Sequence, residues 1–150
     1  MLACSVLAAL VAVLTIIFHF WALKFLRGLM PSNADHNHFI RSIFILVLLV
    51  TVHLIEVFLF TAVIFFIDFH MKGPSFAPPL EPINLEFFYI SMISYTTLGL
   101  SSSVPVGIMK IIIGIESLVG FIMITWSASF FYAIVEKESK NNSLDQTPLN

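Results

Sequence analysis

Three long apolar runs dominate the chain. Residues 2–23 form an uncharged run of 22, residues 44–67 are nearly apolar but contain His53 and Glu56, and residues 111–135 carry one charge, Glu116. About 20 apolar residues suffice for a helix to cross the roughly 30 Å hydrocarbon core of a bilayer. The pattern therefore predicts three spanning helices. The runs are continuous rather than alternating, which argues against the strands of a membrane barrel. The first run is read as an anchor that is not cleaved. No basic residue precedes it, and it exceeds the about 7–15 apolar residues of a signal-peptide core. Cys4 also lies too early for lipid attachment after cleavage.

The segment between the second and third runs follows another pattern. Residues 73–82 read Gly-Pro-Ser-Phe-Ala-Pro-Pro-Leu-Glu-Pro, and four prolines among ten residues exclude a helix. From Pro82 the composition turns apolar and aromatic. Residues 83–96 make about four helical turns, too few to cross a bilayer. Pro82 suits a first helical position, and Glu81 and Glu86 suit the positive N-terminal end. The stretch runs into Thr96-Thr97-Leu98-Gly99-Leu100-Ser101-Ser102-Ser103-Val104-Pro105, mostly small and polar. A half-helix followed by irregular chain is tolerated at membrane depth only where protein buries it or water lines it. This predicts a re-entrant pore loop. A half-helix entering from outside aims its negative C-terminal dipole end at cations. The carbonyls and the Thr97 hydroxyl beyond it can replace a cation's hydration shell. An ordinary surface loop is the plainer alternative, but it would leave an apolar half-helix in water.

Composition and charge narrow the class. The chain is 59% hydrophobic and 11% charged, with a mean hydropathy of +0.99. A soluble domain is about half apolar and a quarter charged, so a water-soluble globule is excluded. Seven Lys+Arg against nine Asp+Glu leave no basic face for nucleic acid. One cysteine excludes an internal disulfide framework and a cysteine metal cluster. At 150 residues there is room for one membrane domain, and a chain this small hardly encloses an aqueous path alone. A transport function therefore requires oligomers.

The expected organisation is an N-terminal transmembrane helix and cytoplasmic link (1–38), a pore module (39–135) and a disordered cytoplasmic tail (136–150). Within the module the outer helix takes 39–71, the pore helix about 82–96, the filter-like loop 97–105 and the inner helix 106–135. Lys24, Arg27 and Arg41 follow the first run, and Lys137 and Lys140 follow the third, against Lys72 and Lys110 in the segment between. The positive-inside rule then places the first link and the C-terminus in the cytoplasm and the N-terminus outside. Trp21, Trp126 and Tyr132 suit the inner interface.

Three titratable residues fall inside spans. His53 and Glu56 are three apart and share a helix face. Glu116 lies eleven residues past Pro105, about 16 Å along a helix, so all three sit near one depth. A charge there is costly unless paired, which marks a structural network or a function. The plainer reading is a hydrogen-bond network that fixes packing. The sharper one has Glu116 bracing the back of the filter through Thr96 or Ser94, held by the pore helix or by His53, or binding permeant cations. The His53–Glu56 pair alone supplies too few ligands for a metal, so neither metal nor cofactor is expected. Gly114 and Gly120 are candidates for a hinge and a close packing point. Gly120, Ser127, Ala128 and Ser129 also let helices approach closely. Asp68 and His70 fall at the outer edge, and His36 and His38 in the cytoplasmic link. No helix carries repeated arginines, so no voltage sensor of the usual kind is present.

At residues 88–99, Phe-Tyr-Ile-Ser-Met-Ile-Ser-Tyr-Thr-Thr-Leu-Gly, the sequence resembles the pore module of tetrameric potassium-channel-like proteins. The resemblance covers about 44–132, that is, helix, pore loop, helix. Thr97, Leu98 and Gly99 match the first half of the family's Thr-Val/Leu-Gly-Tyr-Gly-Asp filter, and Pro105 matches a later proline. His53-Leu54-Ile55-Glu56-Val57 and residues 120–130 are similar to small bacterial members, which bend near Gly120. Leu100, Ser101 and Ser102 depart, standing where the pattern has Tyr, Gly and Asp. The resemblance implies a filter of Thr96, Thr97, Leu98, Gly99, Leu100 and Ser101 around a fourfold axis. Its alternating handedness would put Ser101 in a left-handed conformation, which costs a non-glycine residue roughly 1–2 kcal/mol. Leu100 also lacks the hydroxyl by which the family's Tyr tethers the filter. The outer filter is therefore expected to be rebuilt and wider.

The sequence thus reads as an all-α membrane protein: three transmembrane helices plus a re-entrant pore helix and filter-like loop, assembled as a homotetramer in lipid. The expected function is conduction of monovalent cations (K+, Na+) across the cell membrane with weak potassium preference, without enzymatic activity or nucleic-acid partner. The alternative is a non-conducting small membrane protein or packing subunit that retains the pore-loop fold. An intramembrane metal-dependent enzyme built on His53, Glu56 and Glu116 would lack a nucleophile beside a base and a full ligand set.

Overall fold

The computed structural model describes residues 2–29, 38–70, 73–80 and 85–145, with side chains described except at 2–3, 38–39 and 138–145. Helices α1 (Leu2–Gly28) and α2 (His38–His70) come first. A two-residue strand β1 (Phe76–Ala77), the short helix α3 (Glu86–Tyr95), a second two-residue strand β2 (Val104–Pro105) and the long helix α4 (Met109–Asp145) follow. The three long helices contain stretches long and apolar enough to cross a membrane: Cys4–Gly28, Ile40–His70 and Met109–Lys137. The expected His36, Lys72, Glu81 and Pro82 features, and the side chain of His38, lie outside the described residues.

The buried residues form three layers along the bundle. One layer joins Ala8, Ile64, Ile67, Phe87, Ile90, Met109 and Ile112. The next joins Ala12, Val57, Phe60, Tyr95, Val119 and Met123. The last joins Leu23, Leu26, Ile45, Leu49 and Ile134. Numbers rise from layer to layer in α1 and α4 and fall in α2, so α1 and α4 run parallel with α2 antiparallel to both. The outward surface is apolar, with Leu10, Phe25, Phe58, Phe66, Leu118 and Phe121 all exposed. An apolar surface of this extent suits lipid rather than water.

Helix α3 begins in the first layer at Phe87 and ends in the second at Tyr95, so it enters where α2 ends and stops at mid-bundle. The chain then returns to the same end. There Phe76 pairs with Pro105 and Ala77 with Val104 in an antiparallel register, and Val106 N donates to Ser75 O at 2.9 Å. Pairing the two arms fixes both the start and the end of the excursion.

One expectation is corrected. The inner helix does not stop at 135 before a disordered tail; α4 continues to Asp145. Extending an existing helix avoids the costly nucleation step. Residues 136–140, Glu-Lys-Glu-Ser-Lys, place Glu136 four positions before Lys140, a favourable helical spacing.

Candidate functional site

A polar node ties all four helices together at mid-bundle. Glu56 of α2, with no exposed surface, is its centre. His19 of α1, equally buried, places Nδ1 2.8 Å from Glu56 Oε1. His53, one turn before Glu56, places Nδ1 3.2 Å from Oε2. The Tyr95 hydroxyl, at the end of α3, donates to Oε2 and lies 3.0 Å from His53 Nδ1. On the far side of His19, Nε2 lies 3.2 Å from Ser127 Oγ of α4. The two imidazoles stack at 5.3 Å between centroids. A carboxylate has room for about four hydrogen bonds, so one Glu56 receives all three partners. His19, His53 and Glu56 each offer a ligand atom within 4.8 Å of the others, so they could hold a metal ion.

A second link sits under α3. The Ser91 hydroxyl lies between two acceptors, Val57 O of α2 at 3.0 Å and Glu116 Oε1 of α4. Glu116 is fully buried, and its Oε2 has no partner among the described residues. The expected burial of Glu116 against the short helix is observed, through Ser91 rather than Thr96 or Ser94. Thr96 Oγ1 instead donates to Met92 O of its own helix at 2.8 Å. Of the two expected holders of Glu116, the short helix supplies the bond, while His53 bonds Glu56 and Tyr95 instead.

The loop after α3 is shaped by the helix cap. Thr97 N donates to Ser94 O at 2.9 Å, and Gly99 N donates to Ile93 O at 3.1 Å. Thr97 follows the C-cap Thr96 and takes the left-handed conformation usual one residue past a helix end, with φ 60°. Gly99 follows with φ 68°. Thr97 is the one non-glycine with positive φ among the described residues, so the left-handed cost falls there and not at the expected Ser101. For a β-branched residue that strain is about 1–3 kcal/mol. The alternation of handedness stops after Gly99. The missing tether at Leu100 has a counterpart: the Tyr89 hydroxyl of α3 donates to Leu100 O at 2.9 Å. Leu98 and Leu100 stand exposed on the single chain. Behind the loop, a cavity of 270 Å³ is lined by Ser94, Thr97, Ser101, Ser103 and Ser117 among others.

Gly120 is the packing point of the two glycines. A Cβ there would stand 2.1 Å from Tyr95 O, whereas nothing lies within 4 Å at Gly114. Helix α4 passes through both without interruption.

His19 and its role were not singled out by sequence reasoning. The available signal was a lone histidine within the uncharged first run. Ser91 and Tyr95 stood within the pore-helix stretch without assigned partners, because their acceptors are on other helices.

Removing Glu116 tests the second link. Glu116→Ala leaves a buried void and takes away one of the two Ser91 acceptors, an expected loss of about 1–3 kcal/mol. Glu116→Gln keeps the shape and an acceptor and should lose less. Thermal unfolding of the three proteins in one detergent checks this; equal midpoints would contradict a bracing role.

No family model, curated protein or solved structure matches this chain.

Proposed function

We propose that the chain is one subunit of a homotetrameric, potassium-channel-like channel for monovalent cations. The observation that carries the reading is the excursion between α2 and α4: a ten-residue helix to mid-bundle, left-handed residues at Thr97 and Gly99, and a return to the same end. Each chain supplies one wall, and four copies around an axis bring four such loops together. The C-terminal end of α3 faces the loop and favours cations through its dipole. The exposed Leu98 and Leu100 fit a loop that meets other copies rather than solvent. The basic residues Arg27 and Arg41 favour an orientation with their end of the bundle in the cytoplasm and the loop entering from outside.

Selectivity is expected to be weak. Handedness alternates only from Thr97 to Gly99, which supports sites at Thr97 and Leu98 and a wider outer mouth. The same break at Ser101 is what favours the second reading, a packing subunit that keeps the fold without conducting.

Mass measurement in detergent and in lipid separates the assemblies. Four chains per particle is the expected result, and one or two removes the pore. Within the tetramer, combining Leu100→Tyr, Ser101→Gly and Ser102→Asp should raise potassium over sodium discrimination in liposome flux. Wild-type discrimination equal to that of the triple variant would contradict this account of the filter.

A further inference from the structure

The residues around Glu56 have a donor set that hydrogen bonding alone does not require. We infer that His19, His53 and Glu56 form a binding site for a divalent transition-metal ion of the zinc class. Two imidazoles and a carboxylate are the ligand types such ions take, whereas calcium and magnesium favour all-oxygen sites. A two-histidine, one-carboxylate set leaves a fourth position open in tetrahedral coordination. The Tyr95 hydroxyl borders that position, bonded to Glu56 and 3.0 Å from His53 Nδ1.

The spacing fits an ion. Ligands at about 2.0–2.1 Å from zinc in a tetrahedron stand roughly 3.3 Å apart. His19 Nδ1 is 2.8 Å from Glu56 Oε1, and His53 Nδ1 is 3.2 Å from Oε2, with all three donors within 4.8 Å of one another. The two His–Glu pairs already stand near that separation, and the widest pair, at up to 4.8 Å, closes on the ion. Both histidines present Nδ1 to the one Glu56 carboxylate, His19 to Oε1 and His53 to Oε2. For His19, the remaining nitrogen Nε2 meets Ser127 Oγ at 3.2 Å, the outer partner that fixes a metal-bound imidazole. His53 is 19% exposed on the single chain, while His19 and Glu56 are fully covered. A bound ion joins α1 to α2 beside the last residue of α3, and so stiffens the segment from which the loop departs. This site does not depend on conduction.

Cobalt(II) titration of the full chain, stripped with chelator in detergent, tests the site without any flux measurement. The expected result is one Co2+ per chain with the intense visible absorption of tetrahedral coordination, displaced by Zn2+. His53→Ala should weaken binding by at least roughly tenfold. His53→Cys keeps a ligand and should add a thiolate-to-cobalt charge-transfer band. Wild-type chain that binds no Co2+ beyond the His19→Ala/His53→Ala double variant would overturn the site. So would a folded His53→Cys variant that lacks the charge-transfer band, and this readout holds even where the double variant fails to fold.

Discussion

Glu56→Ala is expected to be among the most damaging single substitutions in this chain. One carboxylate accepts from or faces His19, His53 and Tyr95, on three different helices, and has no exposed surface. Its removal strands the Nδ1 side of His19 and takes the carboxylate acceptor from Tyr95, which keeps His53 Nδ1 in reach at 3.0 Å. Breaking a buried, hydrogen-bonded charged group from one side typically costs about 3–5 kcal/mol. Glu56→Gln retains one acceptor oxygen for three partners and should fall between Ala and wild type. Tyr95→Phe removes a single donor and should lose about 1–3 kcal/mol. Thermal unfolding in a common detergent gives the ranking wild type, Tyr95→Phe, Glu56→Gln, Glu56→Ala. A Glu56→Ala midpoint equal to wild type would show that the node does not hold the helices.

Gly120→Ala should be comparably severe for the opposite reason, excess volume. The added methyl would stand 2.1 Å from Tyr95 O and 2.8 Å from Tyr95 C. These are backbone atoms and cannot rotate aside, so α4 and the end of α3 must separate. Overpacking commonly costs about 1–3 kcal/mol and occasionally more, and a backbone clash lies at the upper end. Tyr95 immediately precedes Thr96 and Thr97, so the displacement also reaches the loop. Gly114→Ala is the control: nothing lies within 4 Å there, and alanine improves helix propensity by about 1 kcal/mol. The expected result is a large loss for Gly120→Ala and none for Gly114→Ala. If Gly120 acted only as a hinge, its alanine variant would keep wild-type stability and alter opening alone.

The three spanning helices were legible because each depends on a local property, the length of an apolar run. The break seen at residues 73–80 was legible for the same reason, since proline acts on its own backbone. Glu116 was recognisable as buried because an acid within an apolar run has few alternatives. Its partner was not, because Ser91 and Ser94 are equally plausible on a helix whose rotation depends on packing. His19 shows the limit most clearly. Its meeting with Glu56 spans 37 positions and depends on how α1 rests against α2 and α4, which no pattern within residues 2–23 encodes. The left-handed residue fell at Thr97 rather than Ser101 because the end of α3, and not a filter register, sets the loop's first turn. The extension of α4 was missed because composition alone suggests disorder for a short polar tail, while a continuous helix extends into it readily.

The most direct measurement of the central claim is cation efflux from liposomes that contain the purified full chain, with potassium, sodium and chloride compared under matched gradients. The account predicts potassium and sodium efflux well above that of protein-free liposomes, a modest potassium preference and no chloride efflux. Potassium efflux indistinguishable from protein-free liposomes, from chain shown to be folded and tetrameric, would contradict it.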